Sequence, residues 1–311
     1  MPILKLKPVC KDYIWGGRRL MEEFGKTPRM ERMAESWELS GHPDGPSTIL
    51  NGDYAGCTLC EYVERAGGSV LGSRCAGSRE LPLLIKLIDA RRDLSVQVHP
   101  DDAYALAHEG QNGKTEMWYV LAAEPGAFLY CGFSREITKE EYRRRIADGT
   151  LTEVLRKIPV QSGTVVFVPA GTIHAICRGI LLAEVQQSSN VTYRVFDYGR
   201  LGADGKPRAL HIPQALEVTR LDARPPRCDF GEHLAACPYF TVDKWDAPRE
   251  DTCGGESFVS VLILDGEGEL RCGGESMSCR KGDSFFLPAG SGIFSIVGSA
   301  QALVTRAGQS E

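Results

Sequence analysis

Four side chains able to bind a metal ion stand in or beside strand-like segments of the chain. Gln97 and His99 alternate with apolar residues, so they face the same side of a strand, about 7 Å apart along it. Glu116 opens a second apolar segment, and His174 follows the Pro-Ala-Gly turn that ends the apolar run 165–168. Imidazole, carboxylate and amide ligands together suit zinc and leave a position for water or substrate. These residues predict one divalent-metal site if the fold brings the segments together.

These segments belong to a longer series of motifs. In chain order the series reads IWGGRRL (14–20), AESWELSGHPDG (34–45), QVHPDD (97–102), KTEMWY (114–119), PAGTIHA (169–175) and EVQQSSNVTYRVFDYGR (184–200). Over about residues 10–220 it closely resembles the type I mannose-6-phosphate isomerases, particularly their short bacterial form. The resemblance implies a zinc-dependent aldose–ketose isomerase. Such an enzyme interconverts D-mannose 6-phosphate and D-fructose 6-phosphate through an enediol or enediolate.

The resemblance also implies roles for individual residues. It implies one zinc ion per chain, with the ligands Gln97, His99, Glu116 and His174. Arg194 matches the catalytic arginine of the family, and a permanent cation suits a developing oxyanion. The competing interpretation is a structural ion pair of Arg194 with Glu184 or Asp197. Lys114 matches a lysine that lines the family's pocket, which makes it a candidate proton shuttle.

The substrate phosphate requires cations, for which the sequence offers Lys86, Arg18 and Arg200. Lys86 interrupts the apolar run 81–89, which is typical of a strand buried on both faces. A buried lysine is costly unless it is paired. Lys86 therefore either pairs with Asp89 or another carboxylate, or points into a polar cavity where it could bind phosphate.

The elements that must position these residues are mostly strands. Strands are predicted at 36–40, 47–50, 81–89, 94–99, 116–121, 126–131, 164–168, 173–177 and 180–186. Helices are predicted at 58–66, after Pro100, at 138–157 as one or two helices, and at 212–218. Asp101 and Asp102 complement the dipole of the helix that they begin, which favours a structural role for both.

An internal repeat independently predicts the fold class. The segment 163–171, GTVVFVPAG, recurs as GDSFFLPAG at 282–290, an offset of 119 residues. Upstream segments match at a larger offset, near 141 residues. The difference between the two offsets is about the length of the helical insertion at 138–157, which only the first copy carries. Two copies of a strand-rich unit predict a mainly β, double-cupin fold: two antiparallel jelly-roll barrels with helical insertions.

The two predicted domains differ in their ligand residues. The first, 1–225, carries the candidate metal ligands, an N-terminal extension and the helical insertion. In the second, 226–311, the position of His174 is taken by Ile293, and that of Glu116 falls near Ser257. The second cupin domain is therefore predicted to hold no metal.

Composition excludes several classes of function. With a net charge of −5 over 311 residues and no extended basic segment, the chain is not expected to bind nucleic acid. The longest apolar runs have the length of strands, so no membrane association is expected. The N-terminus lacks the apolar core of a signal peptide, and the 11 scattered cysteines indicate reduced thiols. A cytoplasmic protein is expected; its oligomeric state is not indicated.

Two other functions are compatible with the same fold. An iron or manganese cupin oxygenase is one, although oxygen chemistry usually employs more imidazole ligands. A non-catalytic cupin that binds sugar phosphate is the other, because a fold does not by itself determine a function. The combination of metal ligands with Lys114 and Arg194 favours the isomerase, since binding alone does not need a proton-transfer pocket.

Overall fold

The mainly β architecture is confirmed by a computed structural model, which describes residues 3–76, 80–202 and 205–309. The strands, in chain order, are β1 (Leu4–Lys7), β2 (Val9–Lys11), β3 (Glu35–Leu39), β4 (Thr48–Ile49), β5 (Leu83–Ala90), β6 (Val96–Val98), β7 (Glu116–Ala123), β8 (Phe128–Phe133), β9 (Leu155–Pro159), β10 (Val165–Val168), β11 (His174–Ile176), β12 (Ile180–Gln187), β13 (Tyr193–Phe196), β14 (Ala235–Ala236), β15 (Phe240–Asp246), β16 (Arg249–Cys253), β17 (Val259–Asp265), β18 (Glu267–Cys272), β19 (Glu275–Arg280), β20 (Ser284–Leu287), β21 (Gly292–Gly298) and β22 (Gln301–Ala307). The α-helices are α1 (Arg19–Glu22), α2 (Leu59–Ala66), α3 (Asp102–His108), α4 (Lys139–Ala147) and α5 (Ile212–Val218). Short 3-10 helices lie at Gly52–Tyr54, Gly68–Leu71, Ser73–Cys75 and Leu151–Val154.

The strands form two pairs of sheets. One pair consists of a six-stranded sheet, β10-β7-β12-β5-β3-β2, and a five-stranded sheet, β13-β6-β11-β8-β9. The other consists of a seven-stranded sheet, β14-β15-β22-β17-β20-β1-β4, and a four-stranded sheet, β16-β21-β18-β19. The neighbouring strands pair antiparallel, as expected for jelly rolls. The N-terminal strands β1 and β4 join the sheet that is otherwise formed by C-terminal strands.

Apolar cores separate these layers. One core fills the interior between the six- and five-stranded sheets, and another fills the interior between the seven- and four-stranded sheets. The largest core joins the six-stranded sheet to the seven-stranded sheet. A fourth lies behind the five-stranded sheet, under α4 and α5. The six-stranded sheet is therefore buried on both faces, which explains the nearly continuous apolar runs in its central strands.

The central strand β12 shows how this arrangement positions polar groups. Leu181, Ala183 and Val185 pack into the core between the two large sheets. The alternate residues face the interior of the first pair of sheets, where Glu184 and Gln186 are buried. Polar residues at these positions are costly unless something binds them, so they indicate where the site lies.

The repeat is confirmed in the backbone. Gly163 and Gly282 both adopt a φ of 88°, a left-handed conformation that favours glycine. The strands that follow them, β10 and β20, pair in the same way with β7 and β17. This pairing places Trp118 opposite Val166 and Val261 opposite Phe285, so the upstream offset is 143 residues. The counterpart of Glu116 is therefore Val259, two residues beyond the predicted Ser257.

The predicted helical segment 138–157 is wrong at its end. It contains α4, whose N-cap Thr138 accepts a hydrogen bond from the backbone N–H of Glu141, and the 3-10 helix Leu151–Val154. From Leu155 the chain is a strand, because the alternating Leu155-Arg-Lys-Ile-Pro159 pairs with β8 and forms the edge of the five-stranded sheet. The division at 225/226 stays a prediction. Among the described residues, no helix has the length and apolar character needed to cross a membrane.

Candidate metal centre and active site

Three predicted ligands meet inside the first pair of sheets. His99 follows β6, Glu116 is the first residue of β7, and His174 is the first residue of β11. His174 Nε2 lies 3.3 Å from Glu116 Oε1, and His99 Nε2 lies 3.7 Å from Glu116 Oε2. All three residues are buried, and one ligand atom of each lies within 4.8 Å of the others. This metal triad joins two facing sheets, which is why it forms only in the folded chain.

Backbone carbonyls orient both histidine rings. His99 Nδ1 is 2.8 Å from the carbonyl oxygen of Val191, and His174 Nδ1 is 2.8 Å from that of Thr172. A carbonyl only accepts, so each Nδ1 carries the proton and each Nε2 presents a lone pair to the centre. This is the arrangement in which metal-bound histidines are usually held.

Two acceptor atoms that face each other in the triad lack a hydrogen-bond donor. His174 Nε2 and Glu116 Oε1 are fully buried, and within the described part of the chain neither has a hydrogen-bond partner. Leaving buried polar atoms unsatisfied is unfavourable, and placing two lone pairs face to face adds repulsion. A divalent cation would remove both penalties. The nitrogen and oxygen donors of the triad therefore fit the zinc ion that the sequence predicts.

Gln97 lies beside the triad. In the five-stranded sheet its Cα is paired with that of His174 on one side and that of Arg194 on the other. Residues paired in this way project to the same face of a sheet. Gln97, His174 and Arg194 therefore form one row, and Gln97 also lines the adjoining cavity. Direct ligation of the metal by Gln97 stays a prediction.

Lys114 connects the triad to the cavity. Its Nζ lies 2.9 Å from Glu116 Oε2, 3.2 Å from His99 Nε2 and 4.0 Å from Glu184 Oε1. The side chain is buried and lines the cavity. Lys114 therefore contacts both the metal triad and the cavity.

Lys86 is paired and also lines the cavity. Its Nζ lies 3.1 Å from Glu184 Oε1 and 3.7 Å from Glu35 Oε2. The predicted alternative partner, Asp89, instead accepts a hydrogen bond from the backbone N–H of Arg19 at 2.9 Å. The sequence left two possibilities open for Lys86, an ion pair or a place in a polar cavity. In the structure Lys86 has both.

Arg194 faces the cavity without a carboxylate partner. Its Nε donates to Ser95 Oγ at 3.2 Å, and its NH1 donates to the carbonyl of Ala209 at 3.0 Å. Among the described residues Arg194 forms no ion pair; Asp197 binds Arg200 and Arg208 instead. The alternative of a structural ion pair is therefore not what the structure shows. Burial, with the nearby charge of Arg208, lowers the pKa of Arg194, so this site favours an anion.

Comparison with known proteins agrees with this geometry. Residues 3–127 match the family model "Phosphomannose isomerase type I, catalytic domain", and residues 231–307 match "Mannose-6-phosphate isomerase, cupin domain". The chain is 42% identical to a mannose-6-phosphate isomerase of Streptococcus mutans over 285 residues, covering 88% of this chain and 89% of that protein. The chain belongs to the type I mannose-6-phosphate isomerase family.

Solved structures extend the likeness to the whole fold. The crystal structure of the mannose 6-phosphate isomerase from Bacillus subtilis superposes with a TM-score of 0.91 at 36% identity, covering 98% of this chain and 99% of that one. A zinc-bound mannose 6-phosphate isomerase superposes with a TM-score of 0.79 at 20% identity, covering 99% of this chain and 100% of that one. At that identity the second likeness concerns the fold alone.

The cavity beside the metal triad has a volume of 300 Å³. Its polar lining residues are Tyr13, Glu35, Lys86, Ser95, Gln97, Lys114, Glu184, Asn190, Thr192, Arg194 and Arg208. Neither Arg18 nor Arg200 is among them. Arg18 lines a separate, larger cleft of 720 Å³, and Arg200 binds Asp197. A role for either in this family member's phosphate binding stays untested.

Sequence reasoning did not assign Glu184, Glu35 or Arg208 to the site of this isomerase-family chain. Glu184 could have been found, because it is a charged residue at an inward-facing position of a strand buried on both faces. Its Oε2 accepts a hydrogen bond from Trp118 Nε1 at 3.0 Å. Arg208 carries no comparable signal, since it lies in an irregular segment that only tertiary contacts bring to the cavity.

The buried charges of the site shift one another's protonation. Burial raises the pKa of Glu116, and it lowers the pKa of both His99 and His174. Burial also raises the pKa of Glu184, but the positive charges of Lys114 and Lys86 outweigh this effect and hold the pKa of Glu184 low. Glu184 is therefore ionised at neutral pH, and the histidines are neutral, as metal ligands must be.

Proposed function

We propose that the chain is a zinc-dependent mannose-6-phosphate isomerase, which interconverts D-mannose 6-phosphate and D-fructose 6-phosphate. One observation carries the proposal: in a chain of this family, Gln97, Lys114 and the unpaired Arg194 line a single cavity, and Lys114 contacts the metal triad. A carbon-bound proton must move between C1 and C2 of the sugar, and charge develops on the sugar oxygens. The cavity supplies groups suited to both tasks.

The residues that would hold zinc are His99, Glu116 and His174, with Gln97 as the fourth ligand. When bound, zinc supplies a Lewis acid that polarises the carbonyl and hydroxyl oxygens of the sugar. The protein's own contribution is to keep each Nε2 lone pair directed inward through the bonds of Nδ1 to backbone carbonyls.

Lys114 and Arg194 would carry the chemistry of the chain itself. Lys114, acting as the neutral amine, accepts at Nζ the proton that leaves one carbon and, as the ammonium, returns it to the other; Glu116 Oε2 lies 2.9 Å from this Nζ. Arg194, held by Ser95 and by the carbonyl of Ala209, places a permanent positive charge where an oxyanion of the enediolate develops. Both groups are preorganised, so little reorganisation is required during the reaction.

The phosphate group is assigned to Arg208. Arg208 lines the cavity, where Asp197 binds its Nε at 2.7 Å. Asp197 also binds Arg200, so one carboxylate faces two guanidinium groups and a net positive charge remains. Lys86 is less suited, because Glu184 and Glu35 already neutralise it. A charge-assisted hydrogen bond contributes about 1.5–3 kcal/mol. Arg208→Ala should therefore raise KM for mannose 6-phosphate by about tenfold or more, with kcat changed by less than about threefold.

The function can be tested on the purified, zinc-loaded protein in D2O. Mannose 6-phosphate should be converted to fructose 6-phosphate, and nuclear magnetic resonance should show solvent deuterium entering at C1 or C2. Zinc, but not iron, should restore activity to metal-depleted protein. Activity with iron and consumption of oxygen would favour the oxygenase, whereas binding of sugar phosphate without exchange would favour a non-catalytic cupin. A cytoplasmic location forms part of this proposal, since sugar phosphates are intracellular metabolites.

A further inference from the structure

The backbone around Lys114 is held at three successive N–H groups. Gly113 N donates to Asp102 Oδ1 at 2.8 Å, and Lys114 N donates to the carbonyl of Pro100 at 3.0 Å. Thr115 N donates to Gln187 Oε1 at 2.8 Å. The segment 113–115 is therefore fixed on both sides of Lys114, although it lies outside regular secondary structure.

A single side-chain pair provides the two outer contacts. Gln187 Nε2 donates to Asp102 Oδ1 at 2.8 Å, so Asp102 accepts from Gly113 and Gln187 at the same oxygen. The Asp102–Gln187 clamp thus joins the start of α3 to the end of β12. Close packing leaves little freedom here, because a Cβ on Gly113 would lie 2.4 Å from the carbonyl carbon of Asp101.

The two neighbouring aspartates have different roles. Asp101 is the N-cap of α3, and its side chain accepts a hydrogen bond from the backbone N–H of Tyr104 at 3.0 Å. Asp102 instead holds Gly113 and Gln187. The sequence predicts the same helix-dipole role for both aspartates. For Asp102 that role is only part of what the residue does. Neither Asp102 nor Gln187 lines the cavity beside the metal triad.

We infer that Asp102 and Gln187 are positioning residues, which set the place of Lys114 for proton transfer. This inference rests on the proposed function, in which Lys114 moves the proton. The clamp acts through the backbone: it places the Cα of Lys114 so that Nζ reaches the carboxylate of Glu116 at 2.9 Å. A displacement of about 1 Å at a reacting group can lower turnover by about a hundredfold.

The test compares four variants with the wild type in the zinc-loaded, full-length protein. Asp102→Ala and Gln187→Met should each lower kcat by about tenfold or more, with KM changed by less than about threefold and zinc content unchanged. Asp102→Asn keeps an oxygen that accepts from Gly113, so its kcat should stay within about threefold of wild type. Asp101→Ala is the matched control, which removes a helix cap one residue away and should lower the melting temperature while kcat is retained.

Each other outcome counts against the inference. Unchanged kcat in Asp102→Ala would overturn it, as would equal losses in Asp101→Ala and Asp102→Ala, which would show a general effect of stability. Loss of zinc from a variant would assign its fall in kcat to the metal triad. An Asp102→Asn variant as impaired as Asp102→Ala would assign the fall in kcat to the negative charge of Asp102. An inactive wild type would overturn the proposed function itself, and is thus distinguishable from a failure of the clamp alone.

Discussion

His174 Nε2 and Glu116 Oε1 face each other at 3.3 Å in the protein interior, and both atoms are hydrogen-bond acceptors. His174 Nδ1 is already engaged by the carbonyl of Thr172, so the proton of the neutral ring is directed away from Glu116. Two buried lone pairs at this separation repel each other unless a cation lies between them. The relationship indicates where a metal ion would lie, without reference to any relative.

Replacing a triad histidine should remove both zinc and activity. In His99→Ala one nitrogen ligand is lost, and the two remaining triad residues hold zinc too weakly to retain it through purification. We expect less than about a tenth of the wild-type zinc content by elemental analysis, with turnover reduced in proportion. His233→Ala, at an exposed histidine bound to Asp243, is the control and should keep one zinc ion. Full zinc occupancy in His99→Ala would show that the ligand set is wrong.

Removing the guanidinium of Arg194 should impair chemistry but not metal binding. Arg194→Ala should retain zinc, while kcat falls by about a hundredfold or more, because a preorganised charge next to a developing oxyanion typically contributes this much. Arg194→Lys should recover only part of the loss, since an ammonium group cannot reach both Ser95 Oγ and the carbonyl of Ala209 as the planar fork does. Steady-state kinetics measures kcat, and elemental analysis measures the zinc content. Unaltered turnover in Arg194→Ala would exclude Arg194 from the mechanism.

Zinc affinity should decrease in mildly acidic solution. Burial raises the pKa of Glu116 in the metal-free protein to about 7, and the carboxylate must be ionised to bind zinc. As the pH falls through 7, Glu116 takes up a proton that zinc must displace, so the apparent Kd should rise by about tenfold per pH unit. The pKa of His174 is lowered by burial to about 4, so it adds no second proton above pH 5.

Calorimetric titrations measure this effect directly. Performed at pH 6 in buffers of different ionisation enthalpy, they should show close to one proton released per zinc ion. At pH 8 the number of protons released per zinc ion should be close to zero. An affinity that stays constant between pH 8 and pH 5.5 would contradict the raised pKa of Glu116.

Removing Lys86 alone should strongly destabilise the fold. Lys86→Met leaves the buried Glu184 and Glu35 carboxylates without their shared cation, and breaking a buried ion pair in this way typically costs about 3–5 kcal/mol. The free energy of unfolding from urea titration measures this loss. Adding Glu184→Gln should restore part of the stability, because it removes one of the two uncompensated charges. A Lys86→Met variant as stable as wild type would show that Lys86 does not neutralise this pair.

The sequence alone determined the strand pattern and the identity of the chemical groups. Alternation in β6, continuous apolar runs in β5 and β12, and the repeated PAG turn follow from side-chain periodicity and from glycine's tolerance of positive φ. These local properties sufficed for the double-cupin prediction. The metal ligands, which the family resemblance implies, stay a prediction, although the fold brings three of the four residues together. The local properties failed at Leu155–Pro159, where pairing with β8 decides in favour of a strand.

Tertiary structure decided which charges meet. Lys86 could have paired with several carboxylates. Asp89, three residues along the same strand, faces the opposite side, and the register of β5 against β12 is what places Glu184 beside Lys86. In the same way, the sequence offered Arg18, Arg200 and Lys86 for the phosphate, yet the folded loop brings Arg208 to the cavity. Electrostatic partners depend on distances between segments far apart in the chain. Periodicity reports which face a residue occupies, but not what lies opposite to it.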